Sequence, residues 1–333
     1  MNISPQIARR RLLQAMATLP LAATLPVRAQ QNWPTRIVTL VVPWPAGNPT
    51  DAIARTLQPL LTKSLGQTVV IENIAGAGGT LGAGRVFSQP ADGHTILMGT
   101  PTELILSPLT IPSVRYAPSD FRMVGLFGRV PYILVARANL PQVSLADVVA
   151  LKNKPGGNPL TVGNIGPGSL IHLIGAQFEK VSGVPVLHVP FKGVPPMVQD
   201  LLGGQLDVAF IPVNGSTMGL IEQGKLRSLG ITAAAPYPLY PSLKPMAAAS
   251  QVFAGFNYDV WGGMHVPRAT PEAVQLRLNQ VFYEACRDPQ VREWARSTGT
   301  DLMGPMSLAE LDTLYQHDIA RYQAIAKATP TGS

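Results

Sequence analysis

The 333-residue chain has little of several residue types that carry strong functional signals. Cysteine occurs once, at Cys286, so no disulfide can form within the chain and a Cys-built metal site is excluded. Charged residues make up only 14% of the sequence against 46% hydrophobic, which excludes a disordered or coiled-coil protein and predicts a large buried core. The five histidines, His94, His172, His188, His265 and His317, show no ligand spacing such as H-x-x-x-H, so a metal centre has no support. The glycine-rich stretch Gly76-Ala77-Gly78-Gly79 lacks a P-loop lysine, and Leu81 stands where a dinucleotide fingerprint needs glycine. The G-x-S-x-G elbow of a serine hydrolase is also missing. Ser169 and His172, three apart on one predicted helix, lie side by side, so with Asp207 they make no triad.

What the chain does have begins with a leader. Residues 1 to 29 carry a basic stretch at Arg9, Arg10 and Arg11, an apolar run over 12 to 25, and Val27-Arg28-Ala29 as a small-residue cleavage site. The run is shorter than the roughly 20 residues of a membrane span. Export through a twin-arginine signal and export through an ordinary secretory signal are both compatible with it. A mature chain is expected to start near Gln30, outside the cytoplasm. The formal net charge of +7 then falls to +3, 22 basic against 19 acidic residues. No Lys/Arg run remains that could track nucleic-acid phosphates.

The mature length suits two lobes at about 100–200 residues per domain. Short β-branched or aliphatic runs at 37 to 42, 68 to 72 and 95 to 98 read as parallel strands separated by helical patterns. Ile53, Leu57, Leu60 and Leu61 form one helical stripe, which Pro59 should interrupt. A second set of strands is predicted at 160 to 162, 186 to 189, 207 to 211 and 226 to 232, with helices near 170 to 181, 197 to 202 and 216 to 223. The tail from Tyr258 offers one strand and then helices, with Pro271 near a helix start and Ser307…Glu310 as a capping box. One strand cannot make a lobe. The expected division is therefore lobe 1 over 30 to 133 and 254 to 333, with lobe 2 over 134 to 253 and crossings near 131 to 137 and 254 to 262.

In such α/β sheets ligands sit outside the carboxyl ends of the strands, and these ends carry the glycine-rich segments. Pro45, Ala46, Gly47, Asn48 and Asp51 follow the first strand, and Ala77, Gly78 and Gly79 follow the second. Both lead into helices whose free N–H groups favour an anion, although tight turns needing glycine for φ > 0 would look the same. Gly168 and Ser169 open a helix in the second lobe, where Thr161 or Lys192 could meet the far end of a ligand. Trp261 reads as a wall of the cleft or, more blandly, as core.

The segments PAGNPTDAIAR, LGQTVVIENIAGAGGTLGAGRV, ADGHTILMGT, GPGSLIHLIGAQF, VPFKGVPPMVQDLLGGQLDVAF and WGGMHVPRATPEAV together resemble the tripartite tricarboxylate transporter receptors, the Bug family of periplasmic solute-binding proteins. The resemblance runs across nearly the whole mature chain. It implies a type II periplasmic-binding fold, two α/β lobes joined by a two-strand hinge with a ligand cleft between them, and binding without catalysis or cofactor. It places Pro45, Ala46, Gly47, Asp51, Ala77, Gly78 and Gly79 around a ligand carboxylate held by backbone groups and ordered water. Thr100 and Thr102 should line the same lobe, with Gly168, Ser169 and Asp207 facing them. Asn48 replaces the family's usual glycine. The implied function is capture, by a monomer in the periplasm, of a small carboxylic or amino acid for membrane transporter subunits. The alternative is a sensor presenting the bound carboxylate to a signalling receptor such as a sensor kinase.

Overall fold

Strand β1, Val38–Val42, is aliphatic on both faces, as a strand covered by helices on two sides must be. The computed structural model in which it lies describes residues 33–153, 156–166 and 168–328, so the leader expected over 1 to 29 falls outside the described residues. Helix α1, Pro49–Leu65, starts where Asn48 accepts the Thr50 N–H at 3.0 Å and stops at Gly66, whose φ of 68° only glycine adopts cheaply. Pro59 does not interrupt it. That expectation fails because Pro59 lies on the exposed side, where water can meet the carbonyl that loses its donor, while Ala54, Leu57, Leu61 and Leu65 anchor the opposite face. Strand β2, Val69–Asn73, helix α2, Thr80–Phe87, and strand β3, Thr95–Gly99, follow. β1 pairs in parallel with β2 on one side and β3 on the other, so all three strands end at one edge.

After the short helix α3, Ser107–Thr110, comes strand β4, Phe121–Arg137. Its first part pairs antiparallel with strand β9, Asp259–Pro267, and its last part with β7, Val208–Pro212, and β8, Leu226–Ile231. One continuous strand therefore serves both halves of the sheet. Register shifts against β9 at 123/125 and 126/128 bend it. Gly125 permits that path, since a Cβ there would stand 2.4 Å from the Phe282 ring.

The second half repeats the first. Helix α4, Leu145–Ala150, leads to β5, Leu160–Asn164, then helix α5, Leu170–Ser182, β6, Val186–Pro190, helix α6, Val194–Leu202, β7, helix α7, Gly215–Glu222, and β8. β5 lies parallel between β6 and β7. Beyond the short helix α8, Met246–Ala249, the tail returns as β9, inserted between β3 and β4. It continues with helices α9, Glu272–Cys286, and α10, Pro289–Ser297, the two-residue strand β10, Asp301–Leu302, and helix α11, Leu308–Ala328. The strand order is β2-β1-β3-β9-β4-β7-β5-β6, with β10 and β8 also on β4.

One apolar cluster joins β1 to α1 and α9 through Leu40, Leu57, Leu61, Leu278 and Phe282. A second runs from the other face of the first half through Leu134 and Val135 into Val162, Phe178 and Phe210. Each such side chain contributes roughly 1.5–3 kcal/mol on burial. Trp261 is core, 1% exposed, with its indole N–H donated to Asp318 at 2.9 Å. Cys286 is buried, and burial pushes its thiol up to about 12, which leaves it inert.

Candidate ligand-binding turns

The turn after β1 is built around one carboxylate. Asp51, 1% exposed in the first turn of α1, accepts the Gly47 N–H and the Arg55 Nε, each at 2.8 Å, through Oδ2. Its Oδ1 accepts Asn73 Nδ2 at 2.9 Å, and the same amide donates to the Trp44 carbonyl at 3.1 Å. The end of β2 is thereby fastened to the turn after β1. Burial pushes the Asp51 carboxyl upward, but the bonds from Arg55, Gly47 and Asn73 outweigh it and hold it at about 2. Its oxygens face into the turn, so Asp51 shapes Pro45, Ala46 and Gly47. Asn48 is extended, with φ −68° and ψ 153°, a conformation that needs no glycine.

The turn after β2 winds left-handed. Gly76, Ala77, Gly78 and Gly79 all have positive φ, and at Ala77, with φ 47°, this costs about 1 kcal/mol or more. Thr80 Oγ1 donates to the Ala77 carbonyl at 2.8 Å, and the Gly79 N–H to the Gly76 carbonyl at 2.9 Å. No side chain caps the start of α2, and the Thr80 N–H turns back to the Ala77 carbonyl. Gly82 brings α2 onto the first turn, where an added Cβ would stand 2.7 Å from Pro43 Cα.

The third segment follows β3. Thr100 directly follows the strand, and Thr102–Leu106 forms one wide helical turn of the kind that often marks functional sites. Glu103 within it is fully buried. Its Oε1 accepts the Thr100 N–H and its Oε2 accepts the Thr100 hydroxyl at 2.6 Å, while Thr102 N–H donates to Thr100 Oγ1 at 3.3 Å. Burial pushes the Glu103 carboxyl up to about 7, against the downward pull of the bonds from Thr100 and the Trp44 indole. Ser107 donates to the Gly78 carbonyl at 3.3 Å, tying this segment to the second turn.

From the second half comes the turn after β5. Asn164 accepts the Gly166 N–H at 2.8 Å, and Ser169 caps α5, accepting His172 N–H at 3.3 Å and donating to the Gly166 carbonyl at 2.7 Å. His172 Nδ1 accepts the Gly168 N–H at 3.3 Å. With its hydroxyl so engaged, Ser169 is no nucleophile. Gly168 meets the first half directly, since a Cβ on it would lie 3.1 Å from Thr110 Oγ1 on α3.

Eleven of the twelve residues singled out in the sequence thus lie on four turns at strand ends, from Pro45 in the first to Ser169 in the last. Asp207 does not join them. It stands at the start of β7, level with Thr161 at the amino end of β5, and its carboxylate takes Arg137 Nε at 2.9 Å, Thr161 N–H at 3.0 Å and Thr161 Oγ1 at 2.9 Å. The sheet geometry decides this, because parallel strands present their carboxyl ends to a cleft and Asp207 and Thr161 lie at the other end. Lys192, just beyond β6, is exposed. Sequence reasoning missed Glu103, Asn73, Ser107 and Thr110. Only Glu103 left a trace, as a lone acid beside the apolar Leu104, Ile105 and Leu106.

Two α/β halves on one shared strand, with the glycine-rich turn of one half at Gly168 packed on Thr110 of the other, define a solute-binding protein of the periplasmic type. A family model described as the tripartite tricarboxylate transporter family receptor matches residues 53–330, and the chain belongs to that family. Its members are solute receptors, not enzymes. The chain is similar to the periplasmic binding protein BugD, at 29% identity and a TM-score of 0.76 over 90% of this chain and 99% of that one. It is similar to Rpa4515 of Rhodopseudomonas palustris, solved with adipate, at 32% identity and a TM-score of 0.78 over 89% and 98% of the two chains. It is also similar to MatC of the same organism, solved with malate, at 31% identity and a TM-score of 0.75 over 88% and 99%.

Proposed function

We propose that the chain captures a small carboxylic acid between its two halves and delivers it to a tripartite tricarboxylate-type transporter. The observation that carries the reading is the meeting of four turns at strand ends, three from one half and one from the other, with no Lys or Arg among 43–50, 74–80, 100–110 or 164–172. Such a cradle holds an anion through oriented N–H groups and trapped water. The acids bound by the two R. palustris relatives support the same substrate class. Pro45, Ala46, Gly47, Ala77, Gly78 and Gly79 surround the carboxylate, Asp51 fixes their path, and Thr100, Thr102, Gly168 and Ser169 close the site. β4 and β9 act as the hinge on which the lobes close, and residues 1 to 29 direct export.

A thermal-shift panel of mono-, di- and tricarboxylic acids and acidic amino acids, malate and adipate among them, tests the reading. An acid present at 100 times its Kd adds roughly 2.7 kcal/mol to stability. Its dimethyl ester should add nothing. Equal shifts with acid and ester, or no shift with any acid, would refute the proposal.

A further inference from the structure

Glu103 stands where the three turns of the first half meet. Thr100 at the end of β3 gives it both its N–H and its hydroxyl. The Trp44 indole of the first turn bonds to it. Gly79 of the second turn lies so close that a Cβ there would be 2.9 Å from Glu103 Cβ and 3.3 Å from Oε2. The hydrogen-bonding groups that act on its carboxyl are all neutral. The titratable groups facing it are also neutral near pH 7. Burial pushes the phenols of Tyr116, before β4, and Tyr315, on α11, far up. Burial pushes His265, on β9 beside Gly99, down to about 3. Arg268 and Asp120 act on Tyr315.

A buried carboxylate without a cation is a poor neighbour for an anionic ligand, because two like charges in one low-dielectric cradle cannot both stay ionised at little cost. We propose that the chain takes up its carboxylate together with one proton from solvent, which settles on Glu103 Oε2 and turns the Thr100 hydroxyl toward the ligand. This rests on the reading of the turns as the carboxylate site. In the ionised state Thr100 spends its hydroxyl hydrogen on Oε2. Once Oε2 carries a proton the bond reverses, with Glu103 donating and Thr100 accepting. Thr102 N–H already occupies the other lone pair of Thr100 Oγ1, so the hydroxyl hydrogen is released outward and becomes a donor. Glu103, whose carboxyl sits at about 7 in the empty protein, then titrates higher in the complex.

The sign follows from linkage. The ligand binds better to the protonated form, so affinity is constant below about pH 6.5 and falls about tenfold per pH unit above 7.5, until the pKa of the complex is passed. The ligand itself is ionised over the window in which Glu103 titrates, since free carboxyls titrate near 4 and the second carboxyl of a diacid at about 5.

Calorimetry with malate and adipate as probes, at pH 8 in phosphate and in Tris, reads the proton directly from the dependence of heat on buffer ionisation enthalpy. Uptake near one proton per ligand at pH 8 and near zero at pH 6 is expected, with none at pH 8 in Glu103→Gln. The infrared difference spectrum of the unaltered protein at pH 8, bound minus free, should gain one protonated-carboxyl band, which keeps the test independent of whether the variant folds. Binding without proton uptake and without that band overturns the proposal and leaves the carboxylate site standing. Uptake that persists in folded Glu103→Gln also overturns it. Failure of both acids to bind at pH 6 refutes the carboxylate reading and the proposal with it.

Discussion

Replacing Asp51 by Asn removes one charge and leaves the shape, so its effect measures what the carboxylate does for the turns. Oδ2 serves Gly47 and Arg55 while Oδ1 serves Asn73. An amide that keeps its oxygen on the Gly47 and Arg55 side points its NH2 at the Asn73 NH2. The flipped amide abandons the other two donors. Asn73 cannot turn to help, because its Nδ2 holds the Trp44 carbonyl and its Oδ1 accepts Arg55 at 3.2 Å. Two charge-assisted bonds are weakened and one buried donor is opposed, a cost of about 2–4 kcal/mol. The carboxyl of Asp51 lies at about 2 against an ordinary 3.8, a lowered value, so its contribution is present above pH 4 and lost as pH falls through 2. Urea unfolding of both proteins between pH 7 and pH 2.5 should therefore show a stability gap that is wide at neutrality and narrows with acidification. A gap under about 0.5 kcal/mol at pH 7, or one that stays constant down to pH 2.5, would refute the role assigned to Asp51.

Gly78→Val and Asp207→Asn form a paired test: the first sets a branched side chain at φ 63° and 3.1 Å from Ser107 Oγ, and should weaken acid binding at least about tenfold in a folded protein. Asp207→Asn should cost about 1–3 kcal/mol of stability and leave Kd unchanged, and calorimetry showing the reverse pattern would move the site to the far end of β5 and β7. Mass spectrometry of the exported protein should find a chain starting near Gln30, and retention of residues 1 to 29 in a membrane fraction would contradict the leader. Small-angle scattering should show a smaller radius of gyration when an acid that shifts melting is added, whereas an unchanged profile would contradict hinge closure on β4 and β9.

The parallel strands were legible because buried β-branched runs between helical patterns have few other readings. β4 was legible only as the crossing expected near 131 to 137. Its first part alternates poorly, with Gly125, Gly128 and Pro131 interrupting it, and those residues exist for a bent strand whose partner β9 is distant in sequence. β10 is two residues long and exists only because β4 offers an edge. Pro59 misled because its cost depends on which side of the helix it faces, and sequence periodicity does not weigh the Leu57 and Leu61 packing against one lost bond. The candidate turns showed themselves as glycines at strand ends. Their supporting shell did not, because Asp51 with Asn73 and Glu103 with Gly79 pair residues from different turns that only the folded sheet brings together. Asp207 was misplaced for the same reason, since a strand's residues do not announce which end faces a cleft.

Hydrogen exchange of the chain with and without an acid from the panel tests the central claim most directly. Protection on binding is predicted in 43–51, 76–80, 99–103 and 164–170, the four turns from both halves. Between Pro131, Pro236, Tyr237 and Asp259 there is a separate recess of about 240 Å³. Protection confined to the walls of that recess, with the four turns unchanged, would contradict the account.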